Sequence, residues 1–378
     1  MNTRGLYLAS TPMIALEAAG VALAQGGRAQ LVLIEDFDLA ARLAELLRLW
    51  SDCPFEAIHR VPGRYTEYQR DAGDNRHGIG DFAHRIRIKR ALRRESLATL
   101  KRVDAEFRPD SVWVGNDRKV ETQYSLHLAS LRLKVRPGRY LDDGLYTYLG
   151  DVRVRSTFRL KMDWVVKRLT YGACWHTVSQ AGTSPWIAEA WLAFPGQAVD
   201  QHPGRRRNSL PSAWFTGRPF LRLSALAARE FSVERAALRR CASILVLPHS
   251  NHLRSNPNMR QGLAEFVRAA AGRGERVAVK YHPREVDADP ADLLGSKNVE
   301  ALPTLLPMEL LLPLLPRRAL LCGEGSTALL AARWLRPDLR VFDLGISRDG
   351  YAVRARAFFL QHGITSIAGD LGALDTAT

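Results

Sequence analysis

Val277-Ala278-Val279-Lys280-Tyr281-His282-Pro283-Arg284 is an apolar strand that ends abruptly in a His-Pro step. The strands of an open α/β sheet deliver their last residues to one edge, and ligands bind outside those carboxyl ends. Proline cannot donate to a ladder and biases the residue before it toward an extended conformation. Pro283 therefore stops the strand and helps to hold His282 where chemistry takes place in such folds.

The same rhythm surrounds this stretch. Ser243-Ile244-Leu245-Val246-Leu247 reads as a buried strand that stops at Pro248-His249-Ser250-Asn251, and residues 258–271 read as a helix closed by Gly272 and Gly274. After the His282 strand come a short strand over 298–302, a short helix opened by Pro307-Met308-Glu309-Leu310, and the buried run Ala319-Leu320-Leu321-Cys322. Gly323-Glu324-Gly325 then turns the chain into a helix capped by Ser326 or Thr327 and running to Leu335, with a late strand over 339–342. Strands alternating with helices at this spacing signal a parallel sheet with helices on its faces.

The first half repeats the pattern. Leu6 to Ala9 reads as a strand, Ser10-Thr11-Pro12 as a turn with a helix-start signal, and 13–24 as a helix ending at Gly26-Gly27. Strands follow at 31–34, 55–59, Ser111-Val112-Trp113-Val114 and Arg139-Tyr140-Leu141, with a helix over about 37–50. No GxGxxG follows the first strand, so the dinucleotide fingerprint is absent. Hydrophobic periodicity is lost over 195–218, which holds Arg205-Arg206-Arg207 and reads as a linker or loop. The expected organisation is two Rossmann-like lobes, residues 1–215 and 216–378.

The 378 residues suffice for two domains with substantial cores. With 54 Lys and Arg against 39 Asp and Glu, the formal charge of +15 implies anionic company: a phosphorylated substrate, a nucleic acid, an anionic glycan or an acidic membrane surface. Residues 84–102 carry eight Lys/Arg and one Glu on a helical stretch, either a solvated face or a docking surface for an anionic acceptor or inner leaflet. Between 152 and 168 six Lys/Arg alternate with apolar and aromatic residues, and Trp175, Trp186, Trp191 and Phe194 follow. These read as an interfacial surface or as outer helices of the lobe. Cys53, Cys174, Cys241 and Cys322 show no CxxC spacing, so buried free thiols and a reducing cytosol are expected. Pro12 and Glu17 interrupt the run from Leu6 to Gln25 that would otherwise pass for a signal peptide, and no eighteen-residue apolar span occurs.

Three strand ends carry candidate chemistry. Gly-Glu-Gly-Ser-Thr between a strand and a helix is an anion-binding device, because free N–H groups and the positive helix end converge there. It lacks the lysine of a Walker loop and suits a single phosphate, toward which His282 is placed to donate a hydrogen bond or proton. Asp142-Asp143-Gly144 leaves its strand in a tight turn: the pair either caps the turn or, by mutual repulsion, has one member with raised proton affinity. Asn116 and Asp117, at another strand end, are acceptor-site candidates beside the plain loop reading. No metal site is expected, since His249 and His252 share a loop without ligand-spaced Cys, Asp or Glu, and no GxSxG elbow marks a serine hydrolase.

In order, Asp142-Asp143-Gly144, His282-Pro283, Pro307-x-Glu309 and Ser326-Thr327 resemble the motif set of bacterial sialyltransferases and polysialyltransferases, two-lobed glycosyltransferases of GT-B architecture that use CMP-activated nonulosonic acids. The likeness extends to the Ser10-Thr11-Pro12 turn, which gives Thr11 an acceptor-side role with Asn116 and Asp117. It implies an inverting, metal-independent transfer of sialic acid or a related acid to a glycan, lipooligosaccharide or capsule acceptor, in the cleft between the lobes. No cofactor is implied beyond the CMP-activated sugar itself. One of Asp142 and Asp143 is then the base and His282 the donor or acid at the phosphate. Pro283, Gly325, Ser326 and Thr327 line the phosphate and Glu309 contacts the cytidine or its ribose. Lys280 and Arg284, by charge rather than by motif, are expected near the sugar carboxylate.

A cytoplasmic location follows, either free or peripheral on an anionic inner-membrane surface. Two rival readings stand beside this one: a CMP-Kdo transferase of the same architecture, and a non-enzymatic basic module for nucleic acid or anionic membrane. The chain shows no recognised nucleic-acid motif, which disfavours a nucleic-acid partner.

Overall fold

The computed structural model describes residues 3–72, 79–150, 162, 164–165, 167–168, 171–178, 180–197, 205–347 and 350–367. The chain divides into two compact units, Met1–Trp214 and Phe215–Thr378.

The first unit holds a parallel sheet of β1 (Arg4–Ala9), β2 (Arg28–Glu35), β3 (Ala57–Pro62), β4 (Ser111–Val114), β5 (Gly138–Leu141), β6 (Ile187–Leu192) and β7 (Arg206–Ser209), in the order β3-β2-β1-β4-β5-β6-β7. The order reverses between β1 and β4, the switch point at which open α/β sheets form crevices. Helix α1 (Pro12–Gln25) leaves β1 there, with Thr11 as its N-cap: Oγ1 accepts the N–H of Ile14 at 3.3 Å. Gly115, after β4, meets Ile14 so closely that an added Cβ would lie 2.3 Å from its Cδ1, so only glycine lets β4 and α1 approach. Beneath them Trp113 stacks on Tyr7 with centroids 5.6 Å apart.

The remaining described helices of this unit's flanks are α2 (Ala40–Leu49), α3 (Arg64–Ala72), α4 (Ile79–Phe107), α5 (Val120–Leu133) and α6 (Leu145–Leu149). The basic stretch over 84–102 lies in α4. Part of its charge is structural: Arg93 pairs with the buried Glu121 of α5 and with Glu67 of α3, and Lys89 also reaches Glu67 at 3.6 Å. Arg87, Arg90, Arg94, Lys101 and Arg102 are exposed.

Two strands of this unit were not foreseen. The expected linker over 195–218 supplies β7, which forms the sheet edge, where charged residues are tolerated because one side of the strand has no partner. Arg205 is held inward, donating to the carbonyls of Thr183 and Ser184 at 2.7 and 3.1 Å. The aromatic residues expected at an interface instead flank β6 and pack internally. Trp175 and Trp186 are buried, and Trp191 lies between Trp113 and Trp214 at 5.6 and 5.8 Å. Most of the basic, aromatic run over 152–168 lies outside the described residues; of the rest, Met162, Trp164 and Val165 are exposed.

The second unit holds β8 (Cys241–Val246), β9 (Arg276–Lys280), β10 (Val299–Leu302), β11 (Leu320–Gly323), β12 (Arg340–Asp343) and β13 (Thr365–Ser366), all parallel, in the order β10-β9-β8-β11-β12-β13. Its switch point lies between β8 and β11. The core joins Leu245, Val277 and Val279 of the strands to Leu263, Phe266 and Val267 of the helix Pro257–Gly272. All four cysteines are free, and Cys174, Cys241 and Cys322 are buried. No helix among the described residues is long and apolar enough to cross a membrane.

Candidate active site

The aspartate turn follows β5, and its two carboxylates differ sharply. Asp142 is fully buried. Its Oδ1 accepts the N–H of Gly144 at 2.9 Å, and its Oδ2 accepts the N–H of Ala193 at 2.9 Å and the hydroxyl of Tyr148. The Tyr148 oxygen also accepts the N–H of Phe194 at 3.0 Å, so this side chain bolts the turn to the chain leaving β6. Burial lifts Asp142 to about 6, with the Tyr148 and Ala193 hydrogen bonds opposing.

Asp143 is partly exposed, and its carboxylate accepts no hydrogen bond among the described residues. Its N–H donates to Thr147 Oγ1 at 2.7 Å, which fixes the backbone and leaves the carboxylate unengaged. Burial first, and the Asp142 charge second, raise it to about 8, against the pull of Lys119. Lys119 precedes α5 and forms an ion pair with Asp36 after β2. Glu17, buried on α1, acts electrostatically on Tyr148. The two aspartates read alike in the sequence; only their surroundings separate them.

The acceptor-side candidates are largely structural. Thr11 caps α1. Asn116 closes an Asx-turn, its Oδ1 accepting the N–H of Arg118 at 3.1 Å. Asp117 is fully buried and accepts the N–H groups of Gly182 and Ser184 at 2.8 and 2.7 Å. Its carboxylate thus anchors that loop, where its strand-end position had suggested an acceptor-side role.

In the second unit His282 leaves β9 as its sequence predicts. Its Nδ1 accepts the N–H of Arg284 at 3.1 Å, which leaves Nε2 to carry the proton of the neutral ring. Burial, then Arg284 and His249, push it down to about 4, so the ring is a neutral donor at pH 7. Pro283 and Arg284 are exposed. Lys280 was expected near a sugar carboxylate but turns inward: it is 4% exposed, and its Nζ donates to the carbonyls of Thr304 and Pro303 at 2.8 and 3.3 Å. The reason is alternation, since residues two apart on a strand share a face but the chain has left β9 before His282. Burial lowers Lys280 to about 8, and Glu309, in the first turn of Met308–Leu311, opposes that. Burial raises Glu309 in turn, against the pull of Lys280.

The glycine turn follows β11. Gly325 has φ +53°, a left-handed conformation that favours glycine, and its N–H donates to Asp343 at 2.8 Å. Ser326 caps the helix Thr327–Leu335, accepting the N–H of Ala328 at 3.2 Å, so the capping residue is Ser326. Glu324 braces the turn, accepting the N–H groups of Ile346 and Ser347 at 3.0 and 2.8 Å. A cavity of about 840 Å³ opens at this edge of the sheet, with His252, Asn256, Asn258, Glu324, Ser347 and Arg356 in its walls. Sequence reading gave no site role to Glu324, Asp343 or His249. The first two lie beside strand ends already marked, which was the available signal. Among the described residues no group of three His, Cys, Asp or Glu side chains is arranged to hold a metal.

No protein-family model and no curated protein matches the chain. Among solved structures it is similar to the α/β-galactoside α-2,3-sialyltransferase of Photobacterium phosphoreum, at TM-score 0.56 and 10% identity over 98% of this chain and 99% of that one. It is similar to the UDP-GlcNAc 2-epimerase of Methanocaldococcus jannaschii at 0.54 and 12%, over 99% and 91%. A sialyltransferase GT-B domain from Photobacterium damselae gives 0.50 and 12%, over 96% and 97%. The chain has the GT-B fold these proteins share, built from two Rossmann-like units.

Proposed function

We propose that this chain is an inverting glycosyltransferase that moves sialic acid or a related nonulosonic acid from a CMP-activated donor to a glycan or glycolipid acceptor. The observation that carries the reading is the division within the aspartate pair. Asp142 is fully engaged in holding the turn, whereas the carboxylate of Asp143, at the strand end, accepts no hydrogen bond among the described residues and has raised proton affinity. A carboxylate of that kind is suited to general-base work.

In one displacement the acceptor oxygen bonds to the anomeric carbon as the bond from that carbon to the phosphate oxygen breaks. The acceptor proton passes to Asp143 and CMP departs with the electron pair, so the configuration inverts. His282 donates from Nε2 to the departing phosphate, and the Ser326-Thr327 helix start supports it electrostatically. CMP carries a single phosphate, so this chemistry needs no metal to bridge two. The cavity beside the glycine turn is of a size that holds a nucleotide-like ligand, and it meets the proposed site at Glu324, with His282, Ser326 and Glu309 outside its walls. Glu309 takes the ribose, and Lys280 holds the carbonyls of Pro303 and Thr304 rather than meeting the sugar. The exposed cations of α4 are offered to an anionic acceptor or membrane surface.

The likeness to UDP-GlcNAc 2-epimerases of the same fold favours a second reading, a UDP-sugar epimerase. One experiment addresses both: thermal stability of the purified chain with CMP, CMP-sialic acid, CMP-Kdo, UMP, UDP and UDP-GlcNAc, with and without EDTA. A ligand at a hundred times its Kd stabilises by about 2.7 kcal/mol. Selective stabilisation by CMP compounds, unaffected by EDTA, supports the transferase, and CMP-Kdo against CMP-sialic acid selects the sugar. Stabilisation by uridine compounds alone replaces it with the epimerase reading, and no nucleotide effect leaves polyanion binding.

A further inference from the structure

The strand order places a third exit between the two used by the proposed donor site. β8 lies between β9 and β11, and neighbouring strands are about 4.8 Å apart. A group that reaches from His282 to Ser326 therefore crosses the Pro248-His249-Ser250 turn after β8. His249 repeats there the arrangement of His282. Its Nδ1 accepts the N–H of Asn251 at 3.2 Å, as His282 accepts that of Arg284 at 3.1 Å. A ring nitrogen that accepts carries no proton, so in each neutral ring the proton is on Nε2. Neither Nε2 meets an acceptor among the described residues.

The two rings are held in a fixed relation. Their centroids are 5.6 Å apart with planes at 69°. Glu285, after the His-Pro step, accepts the N–H of Ser250 at 2.7 Å and so ties one histidine turn to the other. Arg254 donates to Ser250 Oγ at 2.7 Å from the far side. Two preoriented N–H donors without an acceptor among the described residues form an arrangement for an anion.

We propose that His249 binds the same phosphoryl group as His282, the two Nε2–H groups acting as a paired donor to a nucleoside monophosphate. This rests on the donor-binding role proposed above for the second unit. Among the described residues neither Nε2 donates to Glu285, whose oxygens accept the N–H groups of Ser250 and Val286.

Two substitutions separate ligand binding from turn capping. His249→Asn keeps an acceptor where Nδ1 stands and removes the donor, whereas His249→Gln keeps a donor near Nε2 and removes the cap. Calorimetry of the full chain with CMP, UMP and cytidine reads the difference. The proposal expects His249→Asn to weaken CMP about tenfold or more with cytidine unchanged, and His249→Gln to remain within severalfold of the wild type. Wild-type CMP affinity in His249→Asn overturns it. If UMP binds and CMP does not, the CMP-donor reading fails, and the same Asn/Gln contrast measured with UMP decides the role of His249. Binding of neither monophosphate overturns both. Should both variants lose affinity equally, imidazole NMR of the wild type decides: CMP must shift the Nε2 signals of His249 and His282 together, and an unmoved His249 refutes the pairing.

Discussion

The aspartate turn after β5 and the histidine turn after β9 occupy comparable places at the ends of strands in their own sheets, and burial drives their titrations in opposite directions. Asp143 is raised to about 8 and His282 lowered to about 4, because loss of water penalises a charge of either sign. Both groups are thus favoured neutral near pH 7, with different consequences. A neutral carboxyl must lose its proton before it can act as a base. A neutral imidazole with its Nδ1 occupied is already a donor. The same physics makes the first group pH-gated and the second indifferent to pH across the neutral range.

Removing the proposed base gives the largest expected effect. Asp143→Asn should lower transfer about 10³-fold, whereas the neighbouring Asp142→Asn should act on folding, since it sets an amide N–H₂ against N–H and O–H donors. We expect Asp142→Asn to cost about 3 kcal/mol in urea unfolding. Near-normal transfer in the first variant, or unchanged unfolding in the second, would erase the distinction between the two aspartates.

A smaller effect sharpens the contrast in pH. Transfer should rise with pH through about 8 on a one-proton limb, and His282→Asn should lower the plateau without moving that limb. A limb near pH 6 would point to Asp142 instead.

Stability should mirror these titrations with opposite signs. The folded-state proton affinity of Asp143 exceeds its unfolded value, so its stabilising contribution is complete below about pH 4 and is lost as pH rises through about 8. Asp143→Asn should therefore melt above the wild type beyond pH 8, by on the order of 2 kcal/mol. His282 is depressed, so its contribution is present above about pH 6.5 and lost as pH falls through about 4. His282→Asn should narrow the wild-type loss of stability over that acid range. Melting curves in matched buffers at pH 4, 6.5 and 9 test both signs.

The smallest effect concerns the lysine beside the histidine. Lys280→Met should change the donor KM less than about twofold while destabilising by about 1–3 kcal/mol, because it strips two carbonyls of their donor. Arg284→Ala, at an exposed site, should do the converse.

Ten of the thirteen strands among the described residues were legible because their apolar runs end at or near Pro, Gly or Asp. β6 was obscured because its flanking tryptophans suit an interface as well as a core, and β7 because arginines at a sheet edge look like a loop. β13 has only two residues, too few for any periodicity to register. Among the strand-end candidates, His282, Asp143 and Ser326 have surroundings that fit the proposed chemistry. Asp117 and Lys280 do not, for their partners at Gly182, Ser184, Pro303 and Thr304 come from separate loops.

Local sequence was sufficient to establish alternating strands and helices and the residues at each strand end, because β-ladder formation and its termination by Pro or Gly depend on neighbours in the chain. It could also mark the paired aspartates and the His-Pro step as candidates for chemistry. Tertiary packing decided which aspartate is bound and which is unengaged, which way Lys280 turns, and that His249 lies on the strand between His282 and Ser326. Desolvation and hydrogen bonding depend on what surrounds a side chain, and here those surroundings come from segments distant in the chain.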